Sequence, residues 1–257
     1  MGILDGKTAV ISGSTRGIGE GIAREMLAGG ASAWITGRNR GRLDTVTSAF
    51  GKEFGRDRVH PFQGDLSRTA TIRNLLGAVL EDSGRLDVVV ANIGSGKSKM
   101  GWDVDDETFR TSFDENFFPA VALGRESLRV MMEQKSGCIT FIASIAGIET
   151  IPAPVPYSAA KAALIRYVKS TAAMVAPSGI RMNAVSPGNV YVEGGTWGMK
   201  MRDDPAGTKR YIEDQVPLKR FGTPAEIGRL VCFLSSDQAS YITGANIIID
   251  GGQAKGA

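Results

Sequence analysis

Thr8-Ala-Val-Ile-Ser-Gly-Ser-Thr-Arg-Gly-Ile-Gly19 sets three glycines, Gly13, Gly17 and Gly19, between a short apolar run and a stretch of helical period. The pattern predicts a buried strand, a tight turn and a helix. A glycine has no Cβ, so such a turn lets backbone N–H groups come close to a phosphate at the helix N-terminus. A glycine triplet alone is equally the signature of an ordinary turn. Its place here decides the reading: it is the first strand–turn–helix unit of the chain, where a doubly wound sheet carries its nucleotide site.

The rest of the chain repeats the alternation. Runs at Thr8–Ile11, Ala33–Thr36, Val59–Gln63, Asp87–Ala91, Cys138–Ile142, Arg181–Val185 and Ile247–Asp250 are short and apolar, as parallel strands buried on both faces are. Between them, helical period marks Ile18–Ala28, Arg42–Phe54, Thr69–Asp82, Asp106–Lys135, Tyr157–Ala176 and Pro224–Ser235. Thr223 is placed as N-cap of the last, with Pro224 at its first position. Strict alternation implies an α/β fold: a Rossmann-type, doubly wound sheet of seven parallel strands with helices on both faces. Two regions break the rhythm. Residues 147–156 hold Pro152, Pro154 and Pro156 and are expected to be non-helical, and residues 187–222 form a long segment without strong period. The second reads as a substrate lid or as a helix pair packed on the core, and the lid is the expectation taken. No repeat or linker splits the chain, so residues 1–257 are read as one domain.

Composition narrows the chemistry. The 257 residues include 33 glycines, one histidine and two cysteines. His60 alone cannot build a multi-imidazole metal site or a histidine relay, and it reads as structural. Cys138 and Cys232 stand far apart, which removes a CxxC pair, so no metal site is expected. A net charge of +3 is too small to argue for nucleic acid. Nothing resembles a signal peptide or a membrane span, and a cytoplasmic location is expected.

Proton chemistry must then come from another side chain. Tyr157-Ser-Ala-Ala-Lys161 places a phenol and an ammonium one helical turn apart on one face. A nearby positive charge favours phenolate and draws a tyrosine toward neutral acid–base work. Such spacing also arises by chance, but here Ser144 ends the fifth strand and Asn116 lies within a predicted helix, where a buried amide needs partners. An acid at the end of the second strand would hold the 2′-OH of an NAD ribose. That place holds Arg38, and Arg16 lies in the glycine turn, so a 2′-phosphate, hence NADP(H), is the expected ligand.

The spacing Gly-x-x-x-Gly-x-Gly, with Ser12 for a usual threonine, resembles the short-chain dehydrogenase/reductase family. So do Asp65-Leu66, Asn92 and Gly94 after the fourth strand, Pro187-Gly188, and the glycines that close the chain near residue 252. The resemblance implies cofactor contacts at Gly13, Ser14, Thr15, Arg16, Gly17, Ile18 and Gly19. It also implies contacts at Arg38, Asp65, Leu66, Asn92, Gly94, Tyr157, Lys161, Pro187, Gly188 and Val190. Val192 stands where the family often has threonine. The same resemblance implies a catalytic tetrad: Tyr157 protonates the substrate carbonyl oxygen, Ser144 polarises it, Lys161 binds the nicotinamide ribose and lowers the Tyr157 pKa, and Asn116 supports a water. The layout is most similar to 3-oxoacyl-[acyl-carrier-protein] reductases. Arg129 matches one of two basic carrier-docking positions, and Ala173 stands at the other.

The expected substrate is a small-molecule ketone or secondary alcohol, either 3-oxoacyl or polar and sugar-derived. Lys97 and Lys99 after the fourth strand are available to an anionic group. A homotetramer or homodimer is implied by resemblance, through the helices starting at Asp106 and Tyr157. The alternative is a catalytically silent NADP(H)-binding sensor or scaffold. No nucleic acid or membrane partner is expected.

Overall fold

The computed structural model describes residues 2–255. Seven parallel strands form one sheet in the order β3-β2-β1-β4-β5-β6-β7: β1 (Thr8–Ile11), β2 (Ser32–Gly37), β3 (Val59–Gln63), β4 (Val88–Ala91), β5 (Gly137–Ile142), β6 (Ile180–Pro187) and β7 (Asn246–Ile249). The order reverses between β1 and β4, and the crevice at that switch point is where such sheets bind ligands.

Side-chain alternation along the strands makes two cores. Ala9, Ile11, Val88 and Val90 face α1 (Gly17–Ala28), α2 (Arg40–Phe54) and α9 (Pro224–Ser235). Val10, Val89, Ala91 and Phe141 face α3 (Thr69–Ser83), α5 (Phe118–Gln134) and α6 (Val155–Val175). Both edges depart from the expected two-sided burial. In β3 only Val59 is fully covered, and Pro61 is tolerated because an edge strand has no outer partner to bond. All four β7 residues are half-buried. His60 of β3 stacks on Trp34 and meets the Ser32 hydroxyl at 2.8 Å, a structural role as read.

Three segments differ from the periodicity. The predicted helix Asp106–Lys135 is two helices, α4 (Asp106–Asn116) and α5, broken at Phe117. Pro119 has no N–H for the preceding turn and its ring crowds that turn's carbonyl, so the chain restarts there. The helix bearing Tyr157 begins earlier, at Val155, with Pro156 in its first turn, where a proline is compatible. Residues 187–222 contain α7 (Thr196–Asp203) and α8 (Pro205–Gln215). The last helix starts as read: Thr223 and Glu226 form a capping box around Pro224. Among the described residues no helix is long and apolar enough to cross a membrane.

Candidate active site

The glycine turn is built to leave its outer side open. Gly13 and Gly17 adopt φ of +62° and +58°, a conformation other residues rarely take. A Cβ on Gly19 would lie 2.3 Å from the Gly13 carbonyl oxygen, so the helix could not approach the strand so closely with any larger residue. Hydroxyls pin the inner side. The Gly13 N–H donates to Thr36 Oγ1 at 3.1 Å, and the Thr36 N–H donates to Ser14 Oγ at 2.8 Å. Ser14 and Thr36 both donate to the Ile11 carbonyl. Ser12 donates to the Val90 carbonyl and accepts from the Asn92 N–H, joining the ends of β1 and β4.

The first turn of α1 is capped by no side chain, its N-cap being Arg16. Its N–H groups are therefore left for an outside acceptor. Arg16 and Arg38 are exposed. Asp65 is held below the usual carboxylate range, first by the Ser67 N–H and also by the charge of Arg38. Two left-handed glycines and an uncapped helix start fit the diphosphate of a dinucleotide.

Asn116, Ser144, Tyr157 and Lys161 converge on one cleft of about 170 Å³ beside this turn. Ile18, Asn92, Gly94, Pro187 and Gly188 border the same cleft. Ser144 caps a short 3₁₀ turn at the end of β5, accepting the Ala146 N–H at 3.1 Å, and borders the cleft together with Tyr157. The Lys161 ammonium donates to the Ile142 carbonyl at 2.9 Å and lies 5.8 Å from the centre of the Tyr157 ring. Asn116 ends α4 and is wholly buried, which replaces the mid-helix placement. Its Oδ1 accepts the Ser95 N–H at 2.8 Å, and its Nδ2 donates to the Ser112 carbonyl at 3.0 Å. Gly94 packs between these groups: a Cβ there would stand 2.8 Å from Asn116 Oδ1 and 3.2 Å from Lys161 Nζ.

Not every predicted contact points outward. The Ser14 side chain turns into the fold, and Thr15 packs against Gly37. Leu66 and Val190 are buried in the two cores, leaving only their backbone to a ligand. The Ile142 carbonyl, the Ser95 N–H and Thr36 escaped the sequence reading. The first two are backbone groups, and no side-chain pattern signals them.

Burial pushes the Tyr157 phenol above its ordinary value, and Ser144 beside it opposes the rise. Burial also pushes the Lys161 ammonium down, to about 8. Unfolding restores the ordinary value near 10.5, so between those values the unfolded chain binds more protons and stability rises with pH. Below about pH 8 the buried charge costs on the order of 3 kcal/mol. Lys161→Met should therefore resist urea at pH 7 at least as well as the parent, with the gap closing above pH 10. A large loss of stability at pH 7 would contradict this burial cost.

Residues 188–222 follow β6, whose last residue Pro187 and the next, Gly188, border the cleft. Trp197 of α7 stacks on Tyr211 of α8 at 5.3 Å and meets Phe221 at 5.5 Å, and Phe221 meets Tyr191 at 5.7 Å. The segment is thus a helix pair with its own aromatic core. Val192 touches the glycine turn, 3.0 Å from where a Gly17 Cβ would be.

A family model described as enoyl-(acyl carrier protein) reductase matches residues 13–254. The 3-oxoacyl-[acyl-carrier-protein] reductase of Rickettsia felis is 34% identical over 250 residues, covering 97% of each chain. Among solved structures, L-sorbose reductase from Gluconobacter frateurii, complexed with NADPH and L-sorbose, superposes with a TM-score of 0.91 at 28% identity over 100% of both chains. A 7α-hydroxysteroid dehydrogenase complexed with NADH and 7-oxo glycochenodeoxycholic acid gives 0.89 at 25% identity, over 98% of this chain and 96% of that one.

Proposed function

The chain belongs to the short-chain dehydrogenase/reductase family, with the layout of its 3-oxoacyl-[acyl-carrier-protein] reductases, and on that premise we propose that it is an NADP(H)-dependent reductase of a ketone. The observation that carries this reading is the convergence of Asn116, Ser144, Tyr157 and Lys161 on one cleft beside the glycine turn.

Turn residues 13–19 and the start of α1 would hold the diphosphate, with Arg16 and Arg38 on the 2′-phosphate and Asp65 toward the adenine. Asn92, Gly94, Pro187 and Gly188 would flank the nicotinamide. When bound, the nicotinamide supplies the hydride. The protein handles the proton. Ser144 and Tyr157 line the same cleft, so a carbonyl oxygen placed between them would accept from both hydroxyls. Burial keeps the proton on Tyr157 Oη until an alkoxide forms, which suits reduction. Once that proton has left, the Lys161 ammonium beneath the ring stabilises the phenolate. Asn116 fixes the Ser95–Gly96 backbone at the back of the cleft and supports the path by which the proton returns.

For the substrate we favour a polar, hydroxylated ketone. The L-sorbose reductase likeness supports it. Carrier docking has thinner support, because Arg129 shares Glu126 with Arg73 and Arg125 and Ala173 offers no charge. Phe118 and Met132 of α5 and Met174 of α6 are exposed apolar side chains on the helices expected to pair protomers in a tetramer.

The test is NADPH oxidation followed at 340 nm with ketoses, hydroxyketones and 3-oxoacyl thioesters. Turnover is expected with at least one hydroxylated ketone and faster with NADPH than with NADH. No turnover with any ketone, and none of NADP⁺ with the matching alcohols, would leave the fold without this activity.

A further inference from the structure

Past β7, residues 250–255 reach α8 and the segment between Ser144 and Tyr157. Asp250 accepts the Gly252 N–H at 2.8 Å and the Ala254 N–H at 2.6 Å, bending the tail back on itself. Gly251 and Gly252, both at positive φ, lie against Val216, Pro217 and Leu218, just beyond α8. Gln253 is 5% exposed, and its Nε2 donates to the Tyr211 hydroxyl of α8 at 3.3 Å. Two residues on, the Lys255 N–H donates to the Glu149 carboxylate at 2.7 Å. Glu149 lies on the segment between Ser144 and Tyr157.

These contacts close a circuit that begins and ends in the lining of the cleft. Gly96 of the lining abuts Thr196, at 3.7 Å from a Cβ placed on the glycine, and Trp197 next to it stacks on Tyr211. Tyr211 is bonded to Gln253, the tail is bonded to Glu149, and the segment of Glu149 leads back to Ser144 of the lining. Gln253 makes the side-chain link to α8, and its Oε1 is buried with no partner. Beside it the Leu218 N–H donates to the Gly251 carbonyl at 3.1 Å, so the tail is tied to α8 and to the segment just past it.

We propose that residues 250–255 are a strap that sets the resting position of the α7–α8 lid, and that Gln253 is its positioning residue for substrate entry. This rests on the reading above, in which a ketone binds at Ser144 and Tyr157.

Hydrogen–deuterium exchange on the full-length protein, with and without NADPH, tests the strap without requiring turnover. Gln253→Ala should speed exchange of the α8 amides about threefold to tenfold, the worth of one such bond, and leave α1 and the central strands unchanged. Tyr211→Phe removes the same bond from the other side and must act in the same direction. Where turnover is found, both variants should shift KM for the ketone severalfold, with kcat and the NADPH dissociation constant within about twofold. Unchanged α8 exchange in both variants would overturn the strap. So would a uniform rise across the whole chain, which would mark a merely structural role. Absence of any ketone turnover, with α8 exchange raised, would instead fault the assigned activity and leave the strap standing.

Discussion

Tyr157→Phe should lower kcat for ketone reduction by about 10²–10⁴-fold, the range a positioned acid contributes, while NADPH affinity stays within about twofold. The substitution removes one oxygen and keeps a ring that is already half-buried. The rest of the site survives it: Lys161 keeps the Ile142 carbonyl, Asn116 keeps Ser95, and the glycine turn is remote from the change. What is lost is the proton held beside Ser144. A forming alkoxide would then have only the Ser144 hydroxyl and water, and neither is backed by the Lys161 charge. Cofactor fluorescence titration together with initial rates separates the two effects. A variant that keeps more than a tenth of the parent kcat would show that another group delivers the proton. One that loses NADPH binding in step with turnover would show Tyr157 to be a cofactor ligand first.

What the sequence disclosed was what is local. The glycine turn, the helical step from Tyr157 to Lys161 and the N-cap at Thr223 each lie within a few residues, so spacing alone specifies their geometry. Alternation of apolar runs was enough to anticipate seven parallel strands, because each strand feeds one helix and the hand of the crossover is fixed. The misses are non-local or directional. Pro119 sits inside a pattern that is helical on both sides, so its break shows only once Asn116 is seen ending α4. The two helices between β6 and α9 are short and polar, and they are held by stacking between Tyr191, Trp197, Tyr211 and Phe221, residues up to thirty positions apart in the chain. Resemblance named Ser14, Leu66 and Val190 as positions of contact without saying which way their side chains turn. The burial that pulls the Lys161 ammonium down is also non-local, and the spacing from Tyr157 does not signal it.

Arg38→Asp should reverse the preference between the two nicotinamide cofactors. Arg38 is exposed at the end of β2, and a guanidinium–phosphate contact is worth about 1.5–3 kcal/mol, so its loss weakens NADPH binding about 10–100-fold. Aspartate does more than remove the contact. It repels the 2′-phosphate and offers an acceptor to the 2′-OH of NADH, so the ratio of kcat/KM values should move further than for Arg38→Ala. Two features of this chain limit the swing. Arg16 stays in the turn as a second cation, so Arg16→Ala alone should weaken NADPH only about tenfold without creating a preference for NADH. Asp65 loses the Arg38 charge that helps hold its carboxyl down and gains a like-charged neighbour. That repulsion falls on an exposed rim, where salt screens it, so the melting temperature should hardly change. Steady-state ratios for both cofactors, in parent and variants at one ionic strength, decide the matter. If the parent already favours NADH, or if Arg38→Asp lowers both cofactors alike, the arginines are solvated surface charges and the 2′-phosphate assignment falls. The catalytic reading of Tyr157 would remain, because it depends on no charge at β2.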